Sequence, residues 1–239
     1  IENTRFNIGE KNNDIELSKR LAALAEVFVM DAFATSHRAH ASTTGVITFS
    51  DDACAGFLLD EELTALSKVK ENAKSSIAVL GGAKISTKLS LIDSLSKTVD
   101  KVILGGGIAN TCLAAKGYEV GKSLIEDSML EEAKELVANP KIIIPESVIV
   151  SISADEPGRI TSANSIQENE AIFDIAPASF VDLEPIIMNA GTILWNGPLG
   201  FFEKENFFAG TAMMAEMIIS SKGFSVAGGG DTISAAEKA

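Results

Sequence analysis

The sequence predicts an α/β fold in which a parallel sheet is covered by helices on both faces. Short apolar runs rich in β-branched residues recur along the 239 residues, and each is followed by a helical pattern. Strands that are buried on both faces of a parallel sheet have this near-continuous apolar character. Four of the runs also end in glycine clusters. The alternation of strand and helix therefore favours the α/β class.

The strands are predicted from their apolar runs. They are residues 26–31 (EVFVMD), 76–80 (SIAVL), 101–104 (KVIL), 141–144 (KIII), 147–151 (SVIVS), 192–195 (TILW) and 224–227 (FSVA). Residues 151–171 have no clear period, and we expect a loop there with room for one edge strand.

Three helices have recognisable limits. One apolar stripe follows Asn13 or Asp14, either of which can cap the helix. A second helix is predicted to begin at residue 127 or 128 and to stop at Asn139, before a proline. Residues 58–74 form a long, half-polar pattern that suits either a surface helix or a connector between domains, and the pattern alone favours the surface.

Composition excludes several classes of protein. A net charge of −13 argues against nonspecific binding to nucleic acid, which needs a basic face. No apolar run reaches the ~18 residues of a membrane span, no signal peptide is recognised, and the natural start is expected to precede Ile1. Cys54 and Cys112 lack metal-ligand spacing, so we expect two buried thiols in a cytosolic protein.

The glycine clusters indicate a ligand site. They occur in VLGGAK, ILGGGIAN, ILWNGPLG and SVAGGGDT, each at the end of a predicted strand. In open parallel sheets the ligand crevice lies beyond the carboxyl ends of the strands, and glycine lets the main chain approach a ligand closely. We therefore expect all four loops to surround one site.

The stretch GGAKISTK is predicted to bind phosphate. Its glycines expose main-chain amides ahead of a helix whose first turns are expected to hold Lys84 and Lys88. Lysines four residues apart on a helix repel each other, and a bound anion would remove that conflict. The alternative is a pair of solvated lysines on a surface helix.

Familiar phosphate motifs do not fit these loops. No stretch supplies the glycine and lysine spacing of a Walker loop. GGGIAN nearly matches the dinucleotide fingerprint, but Asn110 stands where the third glycine is needed.

Two further loops carry polar groups. In GGGDT, Asp231 could be an N-cap or a ligand of Mg²⁺, which commonly uses one or two carboxylates beside phosphates. In WNGPLGFFE, Asn196 and Glu203 could meet a sugar or a phosphate, whereas Trp195 is expected in the core.

The N-terminal part offers arginines. His37, Arg38 and His40 follow the first predicted strand, but no activated serine motif accompanies them, and we expect the histidines to be structural. The forked guanidinium of Arg38 matches phosphate or carboxylate oxygens, and Arg5 is a second group of this kind.

Taken together, these stretches resemble the phosphoglycerate kinase family. The resemblance is carried, in order, by ENTRFNIGEK, EVFVMDAF, HRAHAST, GGAKISTKL, ILGGGIANT, ILWNGPLGFFE and AGGGDT, and it runs over residues 1–239. It implies two Rossmann-like three-layer domains with parallel sheets: residues 1–57 for phosphoglycerate, a connecting helix over 58–74, and residues 75–239 for nucleotide. This connector replaces the surface interpretation of that helix.

The resemblance also implies roles for individual residues. Lys84, Lys88 and Arg38 would be catalytic, Arg5 and Arg38 would bind phosphoglycerate, and Asp231 would bind magnesium. The residues implied in nucleotide binding are Gly82, Ala83, Lys84, Lys88, Gly106, Asn196, Glu203, Gly229, Gly230, Asp231 and Thr232.

The implied function is glycolytic phosphoryl transfer from 1,3-bisphosphoglycerate to ADP, with Mg²⁺, by a cytoplasmic monomer that binds neither nucleic acid nor membrane. The family's first strands and its glycine-rich C-terminal segment have no counterpart here, so we expect part of a longer protein. A nucleotide-binding fragment without activity and a nicotinamide-dependent oxidoreductase are the alternatives.

Overall fold

A computed structural model describes residues 2–71 and 75–239. The chain divides into two compact units, Ile1–Lys68 and Val69–Ala239. The division falls within a helix that spans Phe57–Glu71. This helix corresponds to the one predicted over 58–74, of which residues 72–74 lie outside the described residues.

The N-terminal unit contains short elements. They are α1 (Ile15–Ala22), β1 (Val27–Met30), α2 (Phe33–Ser36), α3 (Val46–Phe49) and β2 (Asp52–Ala55), followed by α4 (Phe57–Glu71), the helix in which the division falls. One 3₁₀ turn covers Thr4–Phe6, and a π-helical segment covers Ala41–Gly45. The predicted cap of α1 is confirmed, because the Leu17 amide donates to Asp14 Oδ1 over 2.9 Å.

Strand β2 was not predicted, and it corrects one expectation about the cysteines. It pairs in parallel with β1, and all four of its residues are exposed. Cys54 lies on this strand and is exposed, so the prediction of two buried thiols is wrong for Cys54. Cys112 is buried as expected, and burial raises the pKa of its thiol to about 12.

The C-terminal unit holds the remaining elements. They are β3 (Ser76–Leu80), α5 (Leu89–Thr98), β4 (Lys101–Leu104), α6 (Gly106–Ala115), α7 (Leu130–Ala138), β5 (Ile142–Ile143), β6 (Ser147–Ser151), β7 (Arg159–Ser162), β8 (Ala171–Ile175), α8 (Phe180–Met188), β9 (Thr192–Asn196), α9 (Ala209–Ser220), β10 (Phe224–Ala227) and α10 (Gly230–Lys238).

Its main sheet is parallel and has the order β10-β9-β3-β4-β5. The chain runs from β3 through β4 to β5 in one direction, and β9 and β10 are added on the other side of β3. The direction therefore reverses between β3 and β9. Ligands of open α/β sheets bind at such a reversal, outside the carboxyl ends of the strands.

Both faces of this sheet are covered. Ile77 and Val79 pack with α8 and α9 on one face, while Ala78 and Leu80 pack with α5 and α6 on the other. This alternation follows from the two-residue period of a strand. All five residues of β3 are buried, and the predicted α/β class with helices on both faces is confirmed.

Residues 147–151 do not belong to the parallel sheet, contrary to the sequence prediction. They form β6, the central strand of an antiparallel sheet with the order β7-β6-β8. Only three residues separate β5 from β6, whereas a crossover between parallel strands needs a dozen or more. Strand β7 is the edge strand for which the aperiodic stretch 151–171 left room.

No helix among residues 2–71 and 75–239 has both the length and the apolar character needed to cross a bilayer.

Candidate functional site

A cleft of about 570 Å³ lies at the carboxyl edge of the main sheet. Each of the four glycine-rich loops contributes to its lining, through Gly82, Gly106, Leu199 and Asp231 respectively. All four loops therefore border one cleft, as expected, and its role as a ligand site stays a prediction. Ala83 and Glu203, two other residues singled out from the sequence, also line the cleft.

The glycines in three of the loops allow the loops to pack on one another. A Cβ atom on Gly81 would lie 1.8 Å from the Pro198 carbonyl oxygen, and one on Gly106 would lie 2.7 Å from the Gly82 carbonyl oxygen. Gly106 also has φ +61°, which disfavours other residues. Close contact between main chains, rather than approach to a ligand, thus accounts for these glycines.

The loop before α10 is different. A Cβ atom on Gly230 would meet nothing within 4 Å, so packing within the described residues does not require glycine there. Gly229 has φ +97° and is the N-cap of α10. The first amides of this helix thus border open space, which is the arrangement of an anion site at a helix N-terminus.

Lys88 is held at the point where the strand order reverses. Its Nζ donates to the carbonyl oxygens of Gly81, at 2.6 Å, and Asn196, at 2.8 Å, which follow β3 and end β9. Burial lowers the pKa of this ammonium group, and the negative charge of Asp231 partly opposes the shift. A Cβ atom on Gly82 would lie 3.6 Å from the same Nζ, so the charge lies directly behind the cleft wall.

The lysines do not lie within a helix, contrary to the sequence prediction. Helix α5 begins at Leu89, with Lys88 as its N-cap, and Lys84 is exposed in the preceding loop. The reason is tertiary: Lys88 is drawn to two carbonyl groups of neighbouring strand ends, and this contact fixes the turn before the helix. The repulsion expected for two lysines on one helical face therefore does not arise.

Asp231 is not the N-cap of α10, which corrects one of its two predicted roles. It lies in the first turn, exposed to the cleft, and its carboxylate makes no hydrogen bond or ion pair within the described residues.

Thr232 and Asn196 organise the same end of the sheet. The Thr232 hydroxyl is buried, accepts from the Gly197 amide over 2.7 Å and donates to the Gly228 carbonyl oxygen over 2.7 Å. Asn196 Nδ2 donates to that carbonyl as well, over 2.7 Å. These bonds tie α10 to the loop after β9.

The loop that carries Glu203 is anchored on both sides. Trp195 is buried, as predicted, and its Nε1 donates to the Gly197 carbonyl oxygen over 2.9 Å. The Phe201 amide donates to the Phe173 carbonyl oxygen of β8 over 2.8 Å. Glu203 itself is exposed at the cleft.

Asp174, a cleft residue in β8, was missed by the sequence analysis. Its carboxylate is buried and accepts from the amides of Gly210, at 2.8 Å, and Ile175, at 2.9 Å. Burial raises its pKa to about 7, against the opposing effect of the two amides. The available signal was one carboxylate inside the otherwise apolar run AIFDI.

The predicted residues of the N-terminal unit occupy its loops. Arg5 is exposed, and its guanidinium makes no hydrogen bond or ion pair in the described part of the chain. Arg38 is half-buried, and its Nε donates to His37 Nε2 over 3.4 Å. The His40 amide donates to Thr43 Oγ1 over 3.1 Å.

Within the described ranges, no three histidine, cysteine or acidic side chains cluster as a metal site.

Comparison with known proteins shows which family the chain is similar to. The family model described as phosphoglycerate kinase matches residues 1–239. The solved phosphoglycerate kinase from Coxiella burnetii is 46% identical, with a TM-score of 0.88, over 99% of this chain and 64% of that one. The enzyme from Pyrococcus horikoshii OT3 is 30% identical, with a TM-score of 0.85, over 99% of this chain and 63% of that one.

The chain thus spans somewhat less than two thirds of either solved structure. Since the match covers every residue of the chain and includes both the loops of the cleft and the arginine-bearing loops of the N-terminal unit, the chain belongs to the phosphoglycerate kinase family.

Proposed function

We propose that the full-length protein transfers a phosphoryl group reversibly between 1,3-bisphosphoglycerate and ADP, forming 3-phosphoglycerate and ATP. The C-terminal unit would bind the nucleotide, and the N-terminal unit would bind the phosphoglycerate. The proposal includes a monomeric, cytoplasmic enzyme that binds neither nucleic acid nor membrane, in keeping with the net charge of −13.

The observation that carries the proposal is the position of two groups, Lys88 and the open N-terminus of α10. Both lie at the end of the sheet where the strand order reverses. An ammonium group and free helix amides provide positive potential in a strongly acidic protein. The other wall of the cleft includes Leu113, Ile172 and Phe173, which suit a planar base. Phosphates at the polar end and a base at the apolar end match a nucleoside di- or triphosphate.

Magnesium fits the cleft as a partner of the nucleotide. Asp231 is an exposed carboxylate in the first turn of α10, and Mg²⁺ bound to phosphates commonly takes only one or two protein carboxylates. Asp231 would hold the ion together with phosphate oxygens, and the bound ion would neutralise part of the phosphate charge.

The reaction needs alignment and charge neutralisation rather than a general base. In the direction of ATP synthesis, a terminal oxygen of ADP forms a bond to phosphorus, while the bond from phosphorus to the acyl oxygen breaks and leaves a carboxylate. Neither oxygen must lose a proton in this step. Lys88 and Lys84 would stabilise the negative charge on the transferred group, as is usual in phosphoryl transfer.

Arg5 and Arg38 would bind the phosphoglycerate. A guanidinium can donate two hydrogen bonds to the oxygens of one phosphate or carboxylate. Arg5 is free to do so, since its guanidinium makes no hydrogen bond or ion pair within the described residues.

A coupled assay of the full-length protein with 3-phosphoglycerate and MgATP tests the proposal. We expect formation of ADP that requires both substrates and that stops when magnesium is chelated. MgADP binding without any transfer would instead support a nucleotide-binding protein without this activity, and binding of NADH in place of ADP would contradict the proposal.

A further inference from the structure

We infer that Glu126 is a positioning residue for the loop that carries Lys84 and Lys88, and that nucleotide affinity depends on it. This inference rests on the proposed function, because it deepens the account of the same nucleotide site. Glu126 lies in the segment between α6 and α7, 40 residues from the loop in sequence.

The carboxylate holds one residue of the loop by two hydrogen bonds. The Ser86 amide donates to Glu126 Oε2 over 2.9 Å, and the Ser86 hydroxyl donates to Glu126 Oε1 over 2.6 Å. Ser86 lies midway between the two lysines in sequence. Because both carboxylate oxygens bind the same residue, the contact restrains the orientation of the loop as well as its distance.

Glu126 is itself fixed to the next loop of the cleft. Its amide donates to Thr111 Oγ1 over 3.2 Å, and the Thr111 hydroxyl, which is buried, donates to the Gly107 carbonyl oxygen over 2.8 Å. Gly107 in turn packs on the lysine loop, since a Cβ atom there would lie 2.2 Å from the Ala83 carbonyl oxygen. The lysine loop, Glu126 and the start of α6 thus form a closed set of contacts.

The negative charge of a carboxylate beside an anion site repels the anion. We therefore expect such a carboxylate to have a role that offsets this cost. The two Ser86 donors hold the pKa of Glu126 below its usual value, and the nearby charge of Lys84 lowers it further. Glu126 therefore remains ionised while it faces a loop built for phosphate. If Glu126 served only as an exposed partner for a cation, its two carboxylate oxygens would not both need to accept from Ser86. The geometry therefore favours a positioning role.

The test compares E126A, E126Q and S86A in the full-length protein, with MgADP affinity measured by calorimetry and steady-state kinetics for both substrates. E126A removes both acceptors, and we expect MgADP to bind about tenfold more weakly, the effect of losing hydrogen bonds to a charged group. E126Q can accept from the Ser86 amide and donate to its hydroxyl, so it should restore most of the affinity. S86A should fall between the two.

The control is E135Q. Glu135 is exposed on α7 and makes no hydrogen bond or ion pair among the described residues, so its variant should behave as the wild type. The KM for 3-phosphoglycerate should not change in any variant, whereas general damage to the fold would alter both substrates. If E126A fails to fold, E126Q and S86A still decide the question.

The outcomes separate the two ideas. If the wild-type protein does not bind MgADP, the proposed function fails. If the wild type binds and E126A binds equally well, or if E126Q loses as much affinity as E126A, the positioning role of Glu126 is wrong while the proposed function stands.

Discussion

The two candidate ligand loops contain the same hydrogen-bonding arrangement in different surroundings. In the N-terminal unit, the amide and hydroxyl of Ser42 both donate to the carboxylate of Glu10. In the C-terminal unit, the amide and hydroxyl of Ser86 both donate to Glu126. Glu10 is only 2% exposed, whereas Glu126 is partly exposed.

The difference in burial predicts different roles. Removing a buried acceptor leaves its donors without a partner where water has restricted access, and this costs stability. Removing a partly exposed acceptor lets water take its place, so the loop loses orientation more than the unit loses stability. We therefore expect Glu10 to act mainly on folding and Glu126 mainly on ligand affinity.

Lys88→Ala, a change in the C-terminal loop, should give the largest effect. Lys88 Nζ is fixed by two carbonyl groups, and we propose that its charge stabilises the transferred phosphoryl group. We expect turnover of the full-length protein to fall by at least ~10²-fold in a coupled assay. Lys97→Ala, on the exposed end of α5, should leave turnover unchanged. Near-normal turnover in K88A would remove Lys88 from the mechanism.

Arg38→Ala tests the N-terminal loop. Loss of charged hydrogen bonds should lower kcat/KM for 3-phosphoglycerate by roughly 10- to 100-fold, with little change in the KM for ATP. Arg38→Lys should not restore it, because an ammonium cannot reproduce the forked contact. Arg20→Ala, at an exposed position of α1, is the matched control. An equal loss for both substrates would break the assignment of one ligand to each loop.

Glu10→Ala should destabilise the protein rather than impair nucleotide binding. The Ser42 amide and hydroxyl would lose the buried carboxylate of Glu10 in a partly buried setting, at a cost of about 1–3 kcal/mol in the free energy of unfolding. Urea denaturation measures this, with exposed Glu26→Ala as the control. If E10A proved as stable as the wild type, the contrast in burial between the two loops would have no energetic meaning.

Asp174→Asn should change the dependence of stability on pH. A carboxyl group with a pKa raised to about 7 holds its proton in the folded state after the unfolded chain has released it. The stability that it contributes is full below the unfolded pKa near 4 and is lost as pH rises through about 7.

The free energy of unfolding of the wild type should therefore fall relative to that of D174N between pH 4 and 8. The slope of this difference against pH corresponds to at most one proton. Unfolding free energies measured across this range check the sign, with exposed Asp182→Asn as a control that should follow the wild type. A gap between wild type and D174N that is independent of pH would show that Asp174 is ionised throughout.

Local patterns were sufficient to predict the main sheet and its cleft. Strands β3, β4, β9 and β10 are apolar runs that end in glycine, and both features are visible within about ten residues of sequence. The Asp14 cap and the burial of Trp195 were predicted on similar local grounds and are confirmed.

Nonlocal contacts account for what was missed. Strand β8 contains Asp174 and follows an aperiodic stretch, and only its pairing with β6 makes it a strand. The turn before α5 is fixed by carbonyl groups at the ends of two strands, one of them more than a hundred residues away. Glu126 looked like any acidic residue before a helix, because its partner Ser86 is distant in sequence.

A crystal structure of the full-length protein with MgADP is the most direct test of the proposed nucleotide site. We expect phosphates within hydrogen-bonding distance of the lysine loop and of the first amides of α10, with Asp231 facing the metal and the base against the apolar wall of the cleft. A nucleotide bound elsewhere, with Lys84 and Asp231 directed away from it, would contradict the proposal that this cleft is the nucleotide site.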